Sequence, residues 1–374
     1  MATLKVLALE PWDAGSHRSV RESITRHSRH AWHWITRPGR GARWRLRYGG
    51  IDFAAEAHEL SERGSKYDAV FVSGLCSLSD FRAAAPSEIR NLPHILYMHE
   101  NQASYPVSEA VDRRTIDRDS HLAFTNLASI EGSDKVLWNS IYNQQSFVEE
   151  MGIMMRRAPE SIGDGWQRRL EEKSVTAWPP VEIDDLVGEQ VLHNSEDVSY
   201  PALAQGARKR VRVAWPHRWE HDKGCDELLR RIETHRDDEE FDFQWVILGE
   251  RYQRMPAAMH VILDQHADVL DHSPEYATRA SYLQKLSTCD WVTSTALHEF
   301  FGIAVVESLL SGCLPWLPDR LSYPELLPQG CIDYTPWNMP INHDEVRESI
   351  RQHLNPAIAQ NSVALIDQMI EQEI

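Results

Sequence analysis

No apolar run in this chain approaches the roughly 20 residues a membrane span requires, and no basic stretch with an apolar core and cleavage site opens it. Export and membrane insertion are not expected; a cytoplasmic location is. Cysteine is scarce. The five residues Cys76, Cys225, Cys289, Cys313 and Cys331 are odd in number and contain no C-x-x-C pair, which argues against a disulfide framework or a zinc site. They read as reduced core thiols. Positive charge is also short: 39 Lys and Arg face 56 Asp and Glu, a formal net charge of -17, and such a protein repels polyanions at long range. Internal repeats and low-complexity tracts are missing as well. What remains, 374 residues with 42% hydrophobic content, is enough for two globular cores.

The punctuation is that of an α/β protein. Strand-like runs at Leu4 to Leu9, Asp68 to Ser73, His94 to His99, Lys135 to Asn139 and Val175 to Trp178 alternate with helical stretches near Ser16 to Ser28, Ile51 to Glu62, His121 to Gly132 and Tyr142 to Glu150. This alternation predicts a doubly wound parallel sheet. A polar segment, 184–209, reads as a linker. Alternation resumes with Val211 to Trp215, Phe243 to Leu248, Val269 to His272, Trp291 to Thr295 and Leu314 to Leu317. The expected organisation is a first domain over 1–183, the linker, a second domain over 210–345, and a helical segment over 346–374.

Three stretches carry chemistry. In Leu297-His298-Glu299-Phe300-Phe301-Gly302-Ile303-Ala304-Val305-Val306-Glu307, two glutamates stand eight positions apart, which on a single helix would separate them by about 80°. A strand ending near Thr295 and a helix from Gly302 to Leu310 place Glu299 in the turn and Glu307 in the first helical turns. Backbone N–H groups of Phe300, Phe301 and Gly302 then open at a helix N-terminus, a setting that favours an anion. An ordinary amphipathic helix carrying two acids is the bland alternative. Directly after the strand Val211 to Ala214, Arg218 and Lys223 lie five residues apart at the strand end, where open α/β sheets bind ligands. A fork and a point charge together suit a diphosphate; a solvated cluster with Glu220 and Asp222 is the alternative. Finally, His99-Glu100-Asn101-Gln102 follows a strand, four hydrogen-bonding side chains in a row that packing explains poorly.

A fourth stretch opposes the acidic whole. Between His17 and Gly50 stand Arg18, Arg21, Arg26, Arg29, Arg37, Arg40, Arg43, Arg45 and Arg47 against Glu22 alone, nine minus one, a surplus of eight. Trp32, Trp34, Trp44 and Tyr48 are interleaved, and arginine with aromatic rings is a means of gripping splayed-out bases. A solvated surface is again the alternative.

His-Glu-Asn-Gln-x-x-Tyr-Pro (99–106), Trp-Pro-His-Arg-Trp-Glu-His-Asp-Lys (215–223), His-Glu-Phe-Phe-Gly (298–302) and Tyr-Pro-Glu (323–325), in that order, resemble the tRNA-queuosine α-mannosyltransferases. The segments from Glu10 to His17 and Trp32-His33-Trp34 match too, so the resemblance spans roughly residues 4 to 330, without a recognised motif from about 152 to 208. It implies a GT-B fold, two Rossmann-like domains facing a central cleft, and a retaining glycosyltransferase moving mannose from GDP-mannose to the queuosine of a tRNA. It further implies that Arg218 and Lys223 hold the diphosphate, Glu299 binds sugar hydroxyls, Glu307 binds the ribose diol, Gly15 and Ser16 approach the phosphates, and His99 sits at the reacting centre. Trp32, His33, Trp34, Asn101 and Tyr105 become candidates to contact the acceptor nucleoside, and Arg43, Arg45 and Arg47 its backbone.

No Asp-x-Asp pair follows a strand where a divalent ion would bridge the diphosphate, so no metal and no cofactor beyond the nucleotide-sugar substrate is expected. Other readings are a small-molecule or lipid acceptor, a nucleotide-sugar epimerase on the same fold, or an idle binding module. The arginine and aromatic segment disfavours the epimerase, and the set Arg218, Lys223, Glu299 and Glu307 disfavours the idle module. Donor base, sugar and oligomeric state are not written in the spacing.

Overall fold

The computed structural model describes residues 2–105, 113–158, 163, 165–183, 208–249, 255–272, 278–339 and 342–374, with the backbone only over 113–119. The expected linker 184–209 therefore lies almost wholly outside the described residues. The chain divides into two compact units, Met1–Pro180 with Pro356–Ile374, and Val181–Asn355.

The first unit is built on a six-stranded sheet of β1 (Lys5–Asp13), β2 (Ala31–Pro38), β3 (Ala69–Ser73), β4 (His94–Met98), β5 (Lys135–Trp138) and β6 (Ser174–Thr176). Every pairing is parallel and the spatial order is β2-β1-β3-β4-β5-β6. Crossover helices cover both faces, so the central strands are apolar throughout, as buried parallel strands are. On one face Leu7, Val70, Leu96 and Trp138 pack with Phe53, Phe81 and Phe147. On the other, Phe71 and Tyr97 pack with Val20 and Ile24 of the helix Gly15–His27 and with Val363, Ile366 and Ile370 of the helix Ala359–Glu371. The end of the chain thus completes the first unit's core.

Two elements differ from expectation. Strand β2 is absent from the strands read off the sequence because it is an edge strand with mixed faces, where arginine and histidine interrupt the alternation. The second helix runs over Ala42–Glu62 rather than starting at Ile51. The reason is Gly49-Gly50, which reads as a helix breaker. In the fold Gly50 permits a close crossing: a Cβ there would meet the Ser77 carbonyl oxygen at 2.3 Å and the Phe81 nitrogen at 2.8 Å.

The second unit carries a five-stranded parallel sheet of β7 (Lys209–Trp215), β8 (Phe241–Ile247), β9 (Leu270–His272), β10 (Trp291–Thr293) and β11 (Leu314–Trp316) in the order β11-β10-β7-β8-β9. Each sheet reverses its winding once, between β1 and β3 in the first unit and between β7 and β10 in the second. The carboxyl ends of strands flanking such a reversal form a crevice that loops cannot fill. All five cysteines are buried thiols, and among the described residues no helix is long and apolar enough to cross a membrane.

Candidate active site

At the second unit's reversal point, β7 ends at Trp215 and β10 at Thr293, and the loops that follow interlock. Leu297 N–H donates to the Asp222 carbonyl at 2.8 Å, Thr295 Oγ1 donates to the Lys223 carbonyl at 2.8 Å, and Trp215 Nε1 donates to Thr295 Oγ1 at 2.9 Å. Gly224 joins the first loop to the helix Cys225–His235. It has φ +67°, and a Cβ there would lie 2.0 Å from the Thr295 carbonyl oxygen, so only glycine lets the loops meet.

This scaffold buries Lys223. Its Nζ donates to the His298 carbonyl and to Glu299 Oε2, both at 3.1 Å, and lies 3.2 Å from Asp222 Oδ2. Burial opposes the charge, but Glu299 and Asp222 outweigh it and hold the ammonium above its ordinary pKa. Lys223 is thus a fixed cation. Arg218 projects from the same loop with its side chain half exposed and pairs with Glu220 Oε2 at 3.3 Å. Behind the loop, His217 Nε2 meets Ser294 Oγ at 2.8 Å, and Ser294 Oγ meets Tyr323 OH at 2.6 Å, all buried. Burial, then the neighbouring Lys223 and Arg218, keep His217 neutral by holding its pKa well down.

The turn Phe300-Phe301-Gly302 precedes the helix Ile303–Leu310, and both phenylalanines are buried. Ser322 Oγ donates to the Phe301 carbonyl at 2.8 Å and the Tyr323 ring lies against Gly302. The Tyr-Pro-Glu motif therefore braces this turn. Glu299 stands in the turn, partly exposed, and Glu307 is buried in the helix with Oε1 2.7 Å from Arg279 NH2. Burial raises the Glu307 pKa against the pull of Arg279 and a hydrogen bond from Tyr282. Arg279 lies outside every motif, at the start of the helix Arg279–Leu286. No local signal marks it as the partner of Glu307.

The first unit's reversal point holds a second polar cluster. Gly15 and Ser16 are exposed at the start of the helix Gly15–His27, whose first N–H groups have no intrahelical acceptor. After Glu10 the register of β1 shifts, and the buried Glu10 carboxylate accepts Trp12 N–H at 2.8 Å and pairs with His17 Nδ1 at 3.1 Å. Ser73 Oγ at the end of β3 is 3.2 Å from the same nitrogen. The His17 ring stacks on His99, which Tyr97 also contacts edge-on. Burial lowers the His17 pKa, yet Glu10 overcomes it and the net shift is upward; burial, then the charge of His17, push His99 well down. Among the described residues, Glu10, His17 and His99 also bring three ligand atoms within 4.8 Å of one another.

The candidate acceptor residues are dispersed. On β2, successive side chains alternate between faces: Trp32 and Trp34 stack on each other with centroids 5.2 Å apart and pack edge-on against Phe71, while His33 contacts the Tyr67 hydroxyl on the other face. The two tryptophans extend the core, and Trp32 Nε1 donates to Ser28 Oγ at 2.7 Å. Asn101 is fully buried: its amide donates to Asn143 Oδ1 at 2.8 Å and its carbonyl accepts Ser104 N–H at 2.8 Å. Asn101 thus closes a loop, while Trp32 and Trp34 pack against the sheet and stay half-buried. Glu100 and Gln102 pair with each other at 2.9 Å. Tyr105 is exposed, as are Arg43 and Arg47, with Arg45 half-buried beside them on the helix Ala42–Glu62.

Residues 5–181 match the tRNA-queuosine alpha-mannosyltransferase N-terminal family. A tRNA-queuosine alpha-mannosyltransferase of Drosophila melanogaster is 30% identical over 326 residues, covering 87% of this chain and 82% of the relative. The chain belongs to the tRNA-queuosine alpha-mannosyltransferase family. As a member it is a glycosyltransferase of the GT-B fold, with its two parallel α/β sheets. The catalytic domain of starch synthase IV from Arabidopsis thaliana, solved with ADP and acarbose, is similar with a TM-score of 0.60 at 11% identity, covering 100% of this chain and 99% of that one. The lipopolysaccharide outer core galactosyltransferase WaaB has a TM-score of 0.60 at 12% identity, covering 99% and 100%. At such identities the likeness is one of fold. Against this background Lys223, Glu299 and Glu307 of the family member fall on one pair of loops and the helix that follows, at a single reversal point.

Proposed function

We propose that this mannosyltransferase-family chain transfers mannose from GDP-mannose, with retention of configuration, to the cyclopentenediol of queuosine in a tRNA with an anticodon of the tRNA-Asp type. The observation that carries the reading is Lys223, a buried cation between Glu299 and Asp222 at the second unit's reversal point. In the reaction the bond from C1 of the sugar to the diphosphate breaks and one from C1 to the acceptor oxygen forms on the same face. The acceptor proton passes to the departing phosphate oxygen. Negative charge grows on the diphosphate, where Lys223 and Arg218 stabilise it without a divalent ion. Glu299 binds sugar hydroxyls and Glu307 the ribose diol; the first unit supplies His99 and the acceptor contacts, including Tyr105, Arg43, Arg45 and Arg47.

Family membership supports the queuosine acceptor and the mannosyl donor. An epimerase needs a carboxylate base poised at the sugar, and here Glu299 and Glu307 are each engaged by a cation. The test is incubation with a panel of nucleotide sugars and queuosine-containing tRNA, with and without EDTA, followed by mass analysis of the digested nucleosides. One hexose added to queuosine from GDP-mannose alone, with EDTA harmless, is the expected result. Hexose on a small-molecule or lipid acceptor with none on tRNA overturns the acceptor assignment, and loss of turnover to EDTA with recovery on adding a divalent ion overturns the metal-free mechanism.

A further inference from the structure

The outer face of the helix Ala42–Glu62 is unusual for a soluble protein. Its inner face is committed to the core through Leu46, Phe53, Ala54, Ala57 and Leu60. Along the outer face Trp44, Tyr48 and Ile51 follow one another at the i, i+4, i+7 spacing that aligns side chains on one side of a helix. They are 77%, 56% and 46% exposed. Trp44 is among the largest side chains in the protein and spends three quarters of its surface in water.

What surrounds the stripe decides what covers it. Residues 39–51 contain Arg40, Arg43, Arg45 and Arg47 and no acid, in a chain whose net charge is -17. Arg47 NH1 also donates to Thr125 Oγ1 at 2.8 Å, fixing this end of the helix to the helix Arg113–Glu131, on which Phe124 is likewise exposed. Flat aromatic rings, held on a rigid helix and flanked by guanidinium groups, match an unpaired nucleobase and its phosphates. An anionic membrane asks for a broader apolar face, the whole exposed side of an amphipathic helix. Here the second half of the helix turns acidic with Asp52, Glu56, Glu59 and Glu62. Trp32 and Trp34 are half-buried against the sheet and offer less open ring surface than Trp44 and Tyr48.

We infer that the Trp44, Tyr48 and Ile51 face is the surface on which a single-stranded RNA loop docks, with Trp44 and Tyr48 stacking on bases and Arg40, Arg43 and Arg47 meeting phosphates. This rests on the tRNA reading above for the identity of the loop, an anticodon loop, though not for its chemistry. An aromatic platform is worth roughly a 5- to 150-fold change in affinity per stacked base, and each phosphate contact on a single strand adds about 0.7 to the salt slope.

The experiment compares wild type, Trp44→Ala/Tyr48→Ala, Trp44→Phe/Tyr48→Phe and Arg40→Ala/Arg43→Ala by filter binding of queuosine-containing tRNA across a salt series. Nucleotide-sugar hydrolysis without acceptor is measured in parallel. The alanine pair is expected to lose affinity at least 10-fold and the phenylalanine pair to keep most of it, both with unchanged hydrolysis, and the arginine pair to flatten the salt slope. Wild-type RNA affinity in the alanine pair overturns the inference. So does loss of binding to phosphatidylserine vesicles in that pair with RNA affinity intact, which assigns the face to a membrane. Should wild type add no sugar to queuosine tRNA while the alanine pair still loses RNA affinity, the docking surface stands and the acceptor assignment falls.

Discussion

His17 and His99 stack face to face, their ring centroids 3.9 Å apart and their planes 25° from parallel. Two imidazolium rings would repel at that distance, so the pair holds at most one proton, and Glu10 beside His17 favours that ring for it. The sign follows from the shifts. His17, raised, contributes stability that is complete below about pH 6.5 and is lost as pH rises through its folded pKa; His99, depressed, contributes stability that is complete above about 6.5 and is lost on acidification. On the proposal that His99 acts at the reacting centre, turnover should fall on the alkaline side as His17 loses its proton. Glu10→Gln removes the stabilising charge and should draw that limb to lower pH, with nucleotide-sugar KM little changed. An alkaline limb that stays in place in kcat against pH would show that the His17 proton has no part in turnover.

Lys223 supports a second prediction. Its replacement by Met keeps the stem's packing and deletes the charge, so loss of the proposed charge-assisted contact to the donor diphosphate should cost about 1.5 to 3 kcal/mol or roughly 10- to 150-fold in kcat/KM. Glu307→Gln should weaken donor binding by a comparable factor. Arg279→Ala, by contrast, releases Glu307 from its ion pair and leaves the carboxylate in place. If Glu307 acts on the donor, Arg279→Ala should cost much less than Glu307→Gln in nucleotide-sugar titration. Equal losses would make the ion pair itself, and not a donor contact, the reason for the acid.

Much of this was legible in the chain because phosphate sites in open α/β sheets are built from contiguous loops. Arg218, Lys223, Glu299 and Glu307 are all local to two strand ends, so their nearness along the chain was legible, while the roles proposed for them come from the resemblance. Arg279 was illegible because it meets Glu307 from another helix. On the acceptor side Trp32 and Trp34 alternate with His33 as interface tryptophans would, and only the fold shows that they also pack edge-on against Phe71 while staying half-buried. Asn101 looked available because its acceptors, Asn143 and Ser146, lie some forty positions on.

Buried neutral histidines set the acid limit of stability. His94 is fully buried, with Nδ1 2.7 Å from the Leu92 carbonyl and Nε2 without a partner, and burial pushes its pKa down to about 4; burial does the same to His298, also to about 4. A depressed histidine contributes stability present above about pH 6.5 and lost as pH falls toward 4, roughly 3 kcal/mol each over that span. Urea denaturation should therefore show a steep loss between pH 6.5 and 4. His94→Asn, which retains a donor for Leu92 but does not titrate, should flatten that dependence by about one proton. A slope in His94→Asn equal to that of wild type would mean that the ring is already protonated or already solvated in the native state.

The end of the chain is a structural member of the first unit, and Asp367 is its fastening. The carboxylate is 1% exposed and accepts Ser28 Oγ at 2.6 Å and the Arg29 N–H at 2.9 Å, while Arg29 reaches on to grip Glu371 with two hydrogen bonds of 2.7 and 2.6 Å. Ser28 is the residue that closes the helix Gly15–His27, the helix bearing Gly15, Ser16 and His17. A loosened fastening should thus reach the polar cluster through that helix. Asp367→Ala strands two donors in a buried setting and should cost about 2 to 4 kcal/mol, counting both lost bonds. Arg29→Ala opens the surface pair to Glu371 and should cost much less. Thermal melts distinguish the two, and the Asp367→Ala protein should also show a broadened His17 signal in imidazole NMR. If Asp367→Ala melts like wild type, the C-terminal helix is held by Val363, Ile366 and Ile370 alone, and Ile366→Ala, at about 2 to 5 kcal/mol, becomes the larger effect.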